Sequence, residues 1–182
     1  MAGPSKKTAK SESLTIRLDP KTRFMLEFVS RLRGQTITTV VERAISEAAS
    51  RATIDDPDNY GEPLTWRDFW SVYEGERALK IADQPLLHPT YDEERRLAFT
   101  RRFWPFFYHD RKAKIVRDDF LDVLWPHIDY LIGAHDEMKQ ENINAGPEIM
   151  ASLLEDAKLV APRWPPASEF GLSRNMDDDI PF

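Results

Sequence analysis

The sequence predicts a mainly α-helical chain: a small N-terminal dimerisation module of one short strand and two helices, followed by an all-helical domain. Three observations predict this. Residues 14–18 alternate apolar and polar over a single strand length. Two apolar stripes at helical spacing follow, separated by Gly34. Beyond a run rich in Asp, Pro, Asn and Gly, the apolar stretches again have helical spacing and are rich in aromatics.

Leu14, Ile16 and Leu18 face one side of the strand; Ser13, Thr15 and Arg17 face the other. Asp19-Pro20 ends the strand and opens a helix, since proline's fixed φ suits a first helical position and Asp is a favoured cap. Phe24, Met25, Phe28, Val29 and Leu32 form its apolar stripe, and Gly34 stops it in a left-handed conformation. A second helix, capped by Thr36 or Thr38, places Ile37, Val40, Val41, Ala44, Ile45 and Ala48 on one face. The strand has no partner within this segment, and two short helices cannot bury both stripes alone. A second copy of the chain solves both problems: the strands pair antiparallel about a two-fold axis and four helices close one core. The alternative is a solvated strand pairing elsewhere, with Ser13, Thr15 and Arg17 as plain surface.

Leu14-Thr15-Ile16-Arg17-Leu18, then Gly34, then the run from Thr36 to Ile45 resemble the ribbon-helix-helix family of bacterial DNA-binding proteins. The resemblance covers about residues 13–50 and no more. It implies a homodimer whose two-stranded ribbon lies in the major groove of double-stranded DNA. On that resemblance Ser13, Thr15 and Arg17 make base contacts, Arg17 to a guanine edge and Thr15 through its hydroxyl or methyl. Lys10, Thr36, Thr38 and Thr39 contact phosphates, the threonines at a helix N-terminus with free amides. Leu14, Ile16, Leu18, Phe28, Val41 and Ile45 form the dimer core. The family often has an acidic residue soon after the second helix's cap; Thr39 stands there in this sequence.

Charge distribution supports the module. The chain of 182 residues carries a net charge of −6. Residues 1–52 hold ten Lys/Arg against five Asp/Glu, a local balance of +5, and the remainder is acidic. A phosphate backbone responds to the local field, not to the total. Hydrophobic residues at 41% and aromatics at 11% suffice for a packed core. The sequence has no cysteine, which excludes disulfides and thiolate metal sites and fits a cytoplasmic location. No apolar run of membrane-spanning length or signal-peptide pattern occurs, so no membrane partner is expected.

The remaining elements follow in order. Residues 1–12 read as a disordered basic arm, with Lys6, Lys7 and Lys10 available to track phosphates or simply to solvate the chain. Residues 13–52 form the module and residues 53–63 a linker; its run Asp55, Asp56, Asp58 lacks the Gly and terminal Glu of a calcium loop. Residues 64–161 form a helical partner- or effector-binding domain. Its helices are expected over 65–84 (Thr65 cap, Asp68 partner), over 90–110 (Thr90 with Glu93, ended or kinked by Pro105), over 117–141 (bent or restarted at Pro126) and from Gly146-Pro147 onward. Residues 162–182, with Pro165-Pro166 and the ending DDDIPF, read as an extended Pro/Asp-rich tail.

Chemistry is sparse. His88, His109, His127 and His135 fit no compact ligand pattern, although His127 and His135 lie two helical turns apart. No nucleophile-elbow, P-loop or dinucleotide fingerprint occurs, so neither an enzyme nor a cofactor is expected. Between Arg95 and Lys114, basic and aromatic residues interleave. They fit a second nucleic-acid surface, with Arg95, Arg96, Arg101, Arg102, Arg111 and Lys112 lining it and Tyr108 or Trp104 stacking on bases. They fit better an aromatic core whose arginines pair with nearby carboxylates.

The expected function is a sequence-specific DNA-binding transcriptional regulator, a homodimeric repressor. An autoregulating antitoxin is one form of it, with a toxin or other protein partner held by the helical domain or the tail. The family's toxin-binding parts are usually short and flexible, unlike the aromatic-rich domain here. The rival is an interaction scaffold in which the ribbon-helix-helix fold only dimerises the chain.

Overall fold

The structure, a computed structural model, describes residues 14–55 and 62–166. It is mainly helical with one small antiparallel sheet, and it divides into two compact units, residues 1–72 and 73–182.

In the first unit, α1 (Pro20–Arg33) starts where Asp19 accepts hydrogen bonds from the amides of Lys21 and Thr22 at 2.9 and 3.0 Å. These bonds and the Thr22 hydroxyl hold the Asp19 carboxyl below its ordinary pKa. Gly34, at φ 58°, ends α1: its amide bonds to Arg31 O, and the Gln35 amide to Ser30 O. The second helix, α2 (Ile37–Arg51), is capped by Thr36, whose hydroxyl accepts from the Thr39 amide at 3.1 Å. This resolves the choice between Thr36 and Thr38 in favour of Thr36. Neither helix contains a buried residue.

The expected strand differs. Residues 14–19 have no regular secondary structure within the single chain, and all are exposed. A lone extended segment has no ladder to join. The expected linker also differs. β1 (Thr53–Ile54) pairs antiparallel with β2 (Leu64–Thr65), in register Thr53 with Thr65 and Ile54 with Leu64. The Asp- and Pro-rich run thus joins two paired strands, and the unit boundary falls at 72/73. Turn-forming composition marks a hairpin as readily as a domain break.

The helix expected over 65–84 is broken. α3 (Trp66–Phe69) is one turn with a Thr65/Asp68 capping box, and α4 (Glu74–Ala82) starts after an extended Tyr73. Gly75 is buried in α4, where an added Cβ would lie 2.8 Å from Leu121 and Trp125. α5 (Tyr91–Arg102) has the expected capping box: Thr90 accepts from the Glu93 amide, and the Glu93 carboxylate accepts from the Thr90 amide at 2.7 Å. It stops before Pro105, because the residue preceding a proline disfavours helix; Phe103 leaves helical geometry and residues 104–106 form a 3-10 turn. The expected restart at Pro126 is present: a 3-10 turn over 125–127 separates α6 (Asp118–Leu124) from α7 (Ile128–Met138). α8 (Ala145–Asp156) carries Gly146 and Pro147 in its first turn.

The core of the second unit is aromatic and aliphatic, with Phe103, Phe106, Phe107, Leu121, Leu124, Leu131, Met150 and Leu154 fully enclosed. The tail expected to be extended from residue 162 begins packed instead. Trp164 lies 5.1 Å from Phe103 and 6.3 Å from Phe106, centroid to centroid, so its apolar area joins the core. An element absent from the sequence expectation is a hairpin closed by a Tyr108–Val116 bridge. Its turn is pinned by Asp110, which accepts from the amides of Lys112 at 2.8 Å and Ile115 at 3.4 Å, with Ala113 at φ 54°.

Candidate nucleic-acid interface

Leu14, Ile16, Leu18, Phe28 and Ile45 are all large, apolar and exposed, from 44% at Leu18 to 79% at Leu14; Val41 is half-buried. Phe24, Met25, Leu32 and Ile37 are exposed as well. Among the described residues the first two helices thus carry an exposed apolar face. A cleft of about 270 Å3 lies between the extended segment and the helices, lined by Ile16, Leu18, Leu26 and Ile37, with Arg23 and Glu27 at its edge. A second apolar cleft of about 370 Å3 runs along Phe24, Phe28 and Leu32.

Thr15 and Arg17 are exposed on the extended segment, and no carboxylate pairs with Arg17 among the described residues. Ser13 and Lys10, the other expected contacts on this side, lie outside the described residues. At the start of α2 the Thr36 and Thr39 hydroxyls share a hydrogen bond of 2.9 Å, so each is partly engaged locally, while Thr38 is exposed. The first-turn amides of α2 have no intrahelical acceptor, as at any helix start. The arrangement offers a guanidinium and hydroxyls on a slender extended segment, with a helix N-terminus in the same unit.

The interleaved segment 95–114 takes the core reading. Arg96 makes a bidentate pair with Asp129, both bonds 2.8 Å; Arg95 binds Asp136 at 2.6 Å, and Arg101 binds Asp83. Arg102 lies over the Phe103 ring, and Arg111 has a partner of its own. Asp136 also binds Lys139 at 2.9 Å, and the two cations hold its carboxyl near pKa 2. Tyr108 is 2% exposed and its hydroxyl bonds to Thr100, so it cannot stack on a base; Trp104 packs against the core. Burial raises the Tyr108 pKa.

His127 is exposed and His135 is 3% exposed, so they share no face. Both ring nitrogens of His135 lack a hydrogen-bond partner, and burial together with Arg102 depresses its pKa. No group of three metal-ligating side chains occurs among the described residues; of the acidic run, Asp56 and Asp58 lie outside them. No described helix is long and apolar enough to cross a membrane.

The 108–116 hairpin escaped the sequence reading. Its only advance signal was Asp110 two residues before Lys112, the spacing of an Asx turn. No family model, curated protein or solved structure matches this chain.

Proposed function

We propose that the first unit dimerises through residues 14–18 and the α1/α2 stripe, as a ribbon-helix-helix module does, and that the dimer reads double-stranded DNA to regulate transcription. The single observation that carries this reading is a pair of capped helices, joined at a left-handed Gly34, whose apolar stripes contain no buried residue. Burying such side chains stabilises by about 1.5–3 kcal/mol each, so a second copy has ample driving force. Pairing of residues 14–18 with their twins would also satisfy backbone groups that the chain leaves open. Leu14, Ile16, Leu18, Phe28, Val41 and Ile45 then form the shared core. Ser13, Thr15 and Arg17 stand on the outer ribbon face, and Thr36, Thr38 and Thr39 meet phosphates with Lys10. The local balance of +5 over residues 1–52 supports the same partner.

Repression by occupying a promoter is the function this binding gives. Toxin neutralisation is secondary, because the second unit holds its own enclosed core where a toxin-binding segment would be short and pliant. The test is binding of the full chain to random-sequence duplex across a salt series, then to a duplex selected from a random library. The expected result is a steep fall of affinity with salt, with Arg17→Ala costing about 1–3 kcal/mol of sequence discrimination and less of bulk affinity. A dimer that ignores duplex even at low salt makes the module a dimerisation device for a scaffold instead.

A further inference from the structure

A groove of about 620 Å3 opens in the second unit between α4, α5, the 108–116 hairpin and the start of α6. That volume falls within the range of small-molecule sites, about 300–1,000 Å3. Its base is apolar, with Leu79 and Leu97 beneath and Ile115, 62% exposed, along one wall.

Its charges are unevenly satisfied. Lys80 pairs with Glu76 at 2.9 Å and Arg101 pairs with Asp83, so two cations and two acids are balanced inside the groove. Lys112 and Lys114 are not: among the described residues neither ammonium has a carboxylate partner. The remaining acid, Asp118, pairs with neither lysine. The backbone that carries these lysines is ordered: Asp110 accepts from the Lys112 and Ile115 amides, and the His109 amide bonds to Ile115 O at 2.8 Å.

We propose that this groove binds a small organic anion, an apolar body bearing one carboxylate, sulfonate or phosphate group. The body lies along Ile115 and the leucines, and Lys112 and Lys114 take the charge. A ligand of this shape covers the exposed isoleucine and pairs with the ammonium groups at once, whereas an inorganic ion can only do the second. The site is independent of any DNA reading of the first unit.

The test uses the full chain and two fluorescent probes. Anilinonaphthalene sulfonate has the required form, and phenylnaphthylamine is the same ring system without the anion. The expected result is saturable sulfonate binding that weakens by about tenfold or more in Lys112→Ala/Lys114→Ala, the size of one charge-assisted contact, with phenylnaphthylamine unchanged. Ile115→Asp weakens both probes. Dye held on the apolar face of residues 14–45 is common to parent and variants and cancels in the comparison. All three positions are on an exposed hairpin, and superimposable circular dichroism and melting curves check the fold; Lys112→Gln/Lys114→Gln is the gentler variant. Sulfonate binding unchanged in the lysine variants, or phenylnaphthylamine binding that weakens along with it, overturns the proposal.

Discussion

At the scale of single residues, two sites in the second unit make sharp predictions. His135 sits against Phe103 at 5.0 Å and Phe99 at 6.1 Å between ring centroids, and Gly146 of α8 crosses so closely that a Cβ there would lie 3.3 Å from its Nδ1. The charges acting on it are Arg102 from α5, Asp136 from α7 and Lys139 just past the end of α7. Its folded pKa lies below the ordinary 6.5, so the unfolded chain binds the proton more readily. Stability from this residue is therefore present above pH 6.5 and declines as pH falls. His135→Leu, measured by thermal melting, should gain on the parent as pH drops from about 7.5 to 5.5; an equal difference at both ends contradicts it. Gly75→Ala should cost about 1–3 kcal/mol in denaturant unfolding, because Leu121 and Trp125 leave no room for a methyl group. Neither site could be read from the sequence. A histidine with no ligand motif and a glycine inside a helical pattern look ordinary until the neighbouring helices are placed.

At the scale of elements, local signals were the legible ones. Asp19-Pro20, Gly34, Thr36 and the Thr90/Glu93 box mark helix ends because capping is chemistry within a few residues of chain. The break at 70–73, where Trp70 and Tyr73 take extended backbone, was not legible, because no proline marks it in the sequence. The 108–116 hairpin was hidden for a similar reason: its two ends are held by a bridge across the turn, not by periodicity. Thr90→Ala removes a cap and should lower the stability of the second unit by about 1 kcal/mol, read as a shift in its urea midpoint. In the first unit, Phe28 is 55% exposed within one chain, so Phe28→Glu costs little in a monomer. The proposed dimer puts that ring in its core, and the variant should then weaken self-association at least about a hundredfold, measured by sedimentation equilibrium. Unchanged association would remove α1 from the interface.

At the scale of the whole molecule, the two units contrast in how they meet the cost of ordering a chain. The second encloses its own core, from Phe103 to Leu154. The first has well-capped helices with no fully buried residue among those described, and in the proposed dimer a second copy supplies the missing burial. The apolar stripes themselves were legible in residues 14–45, and they are exposed in the single chain. What the second unit binds was not, because a groove is assembled from three helices and a hairpin distant in sequence. The pairing of the first segment with its twin is the claim on which the DNA reading depends. The chain has no cysteine, so Thr15→Cys introduces a single thiol. Antiparallel twins lie about 5 Å apart across a ribbon, within reach of a short bismaleimide. Pairing of the twins predicts near-complete crosslinking to a covalent dimer that persists on dilution; a chain that stays monomeric and uncrosslinked at high concentration contradicts it.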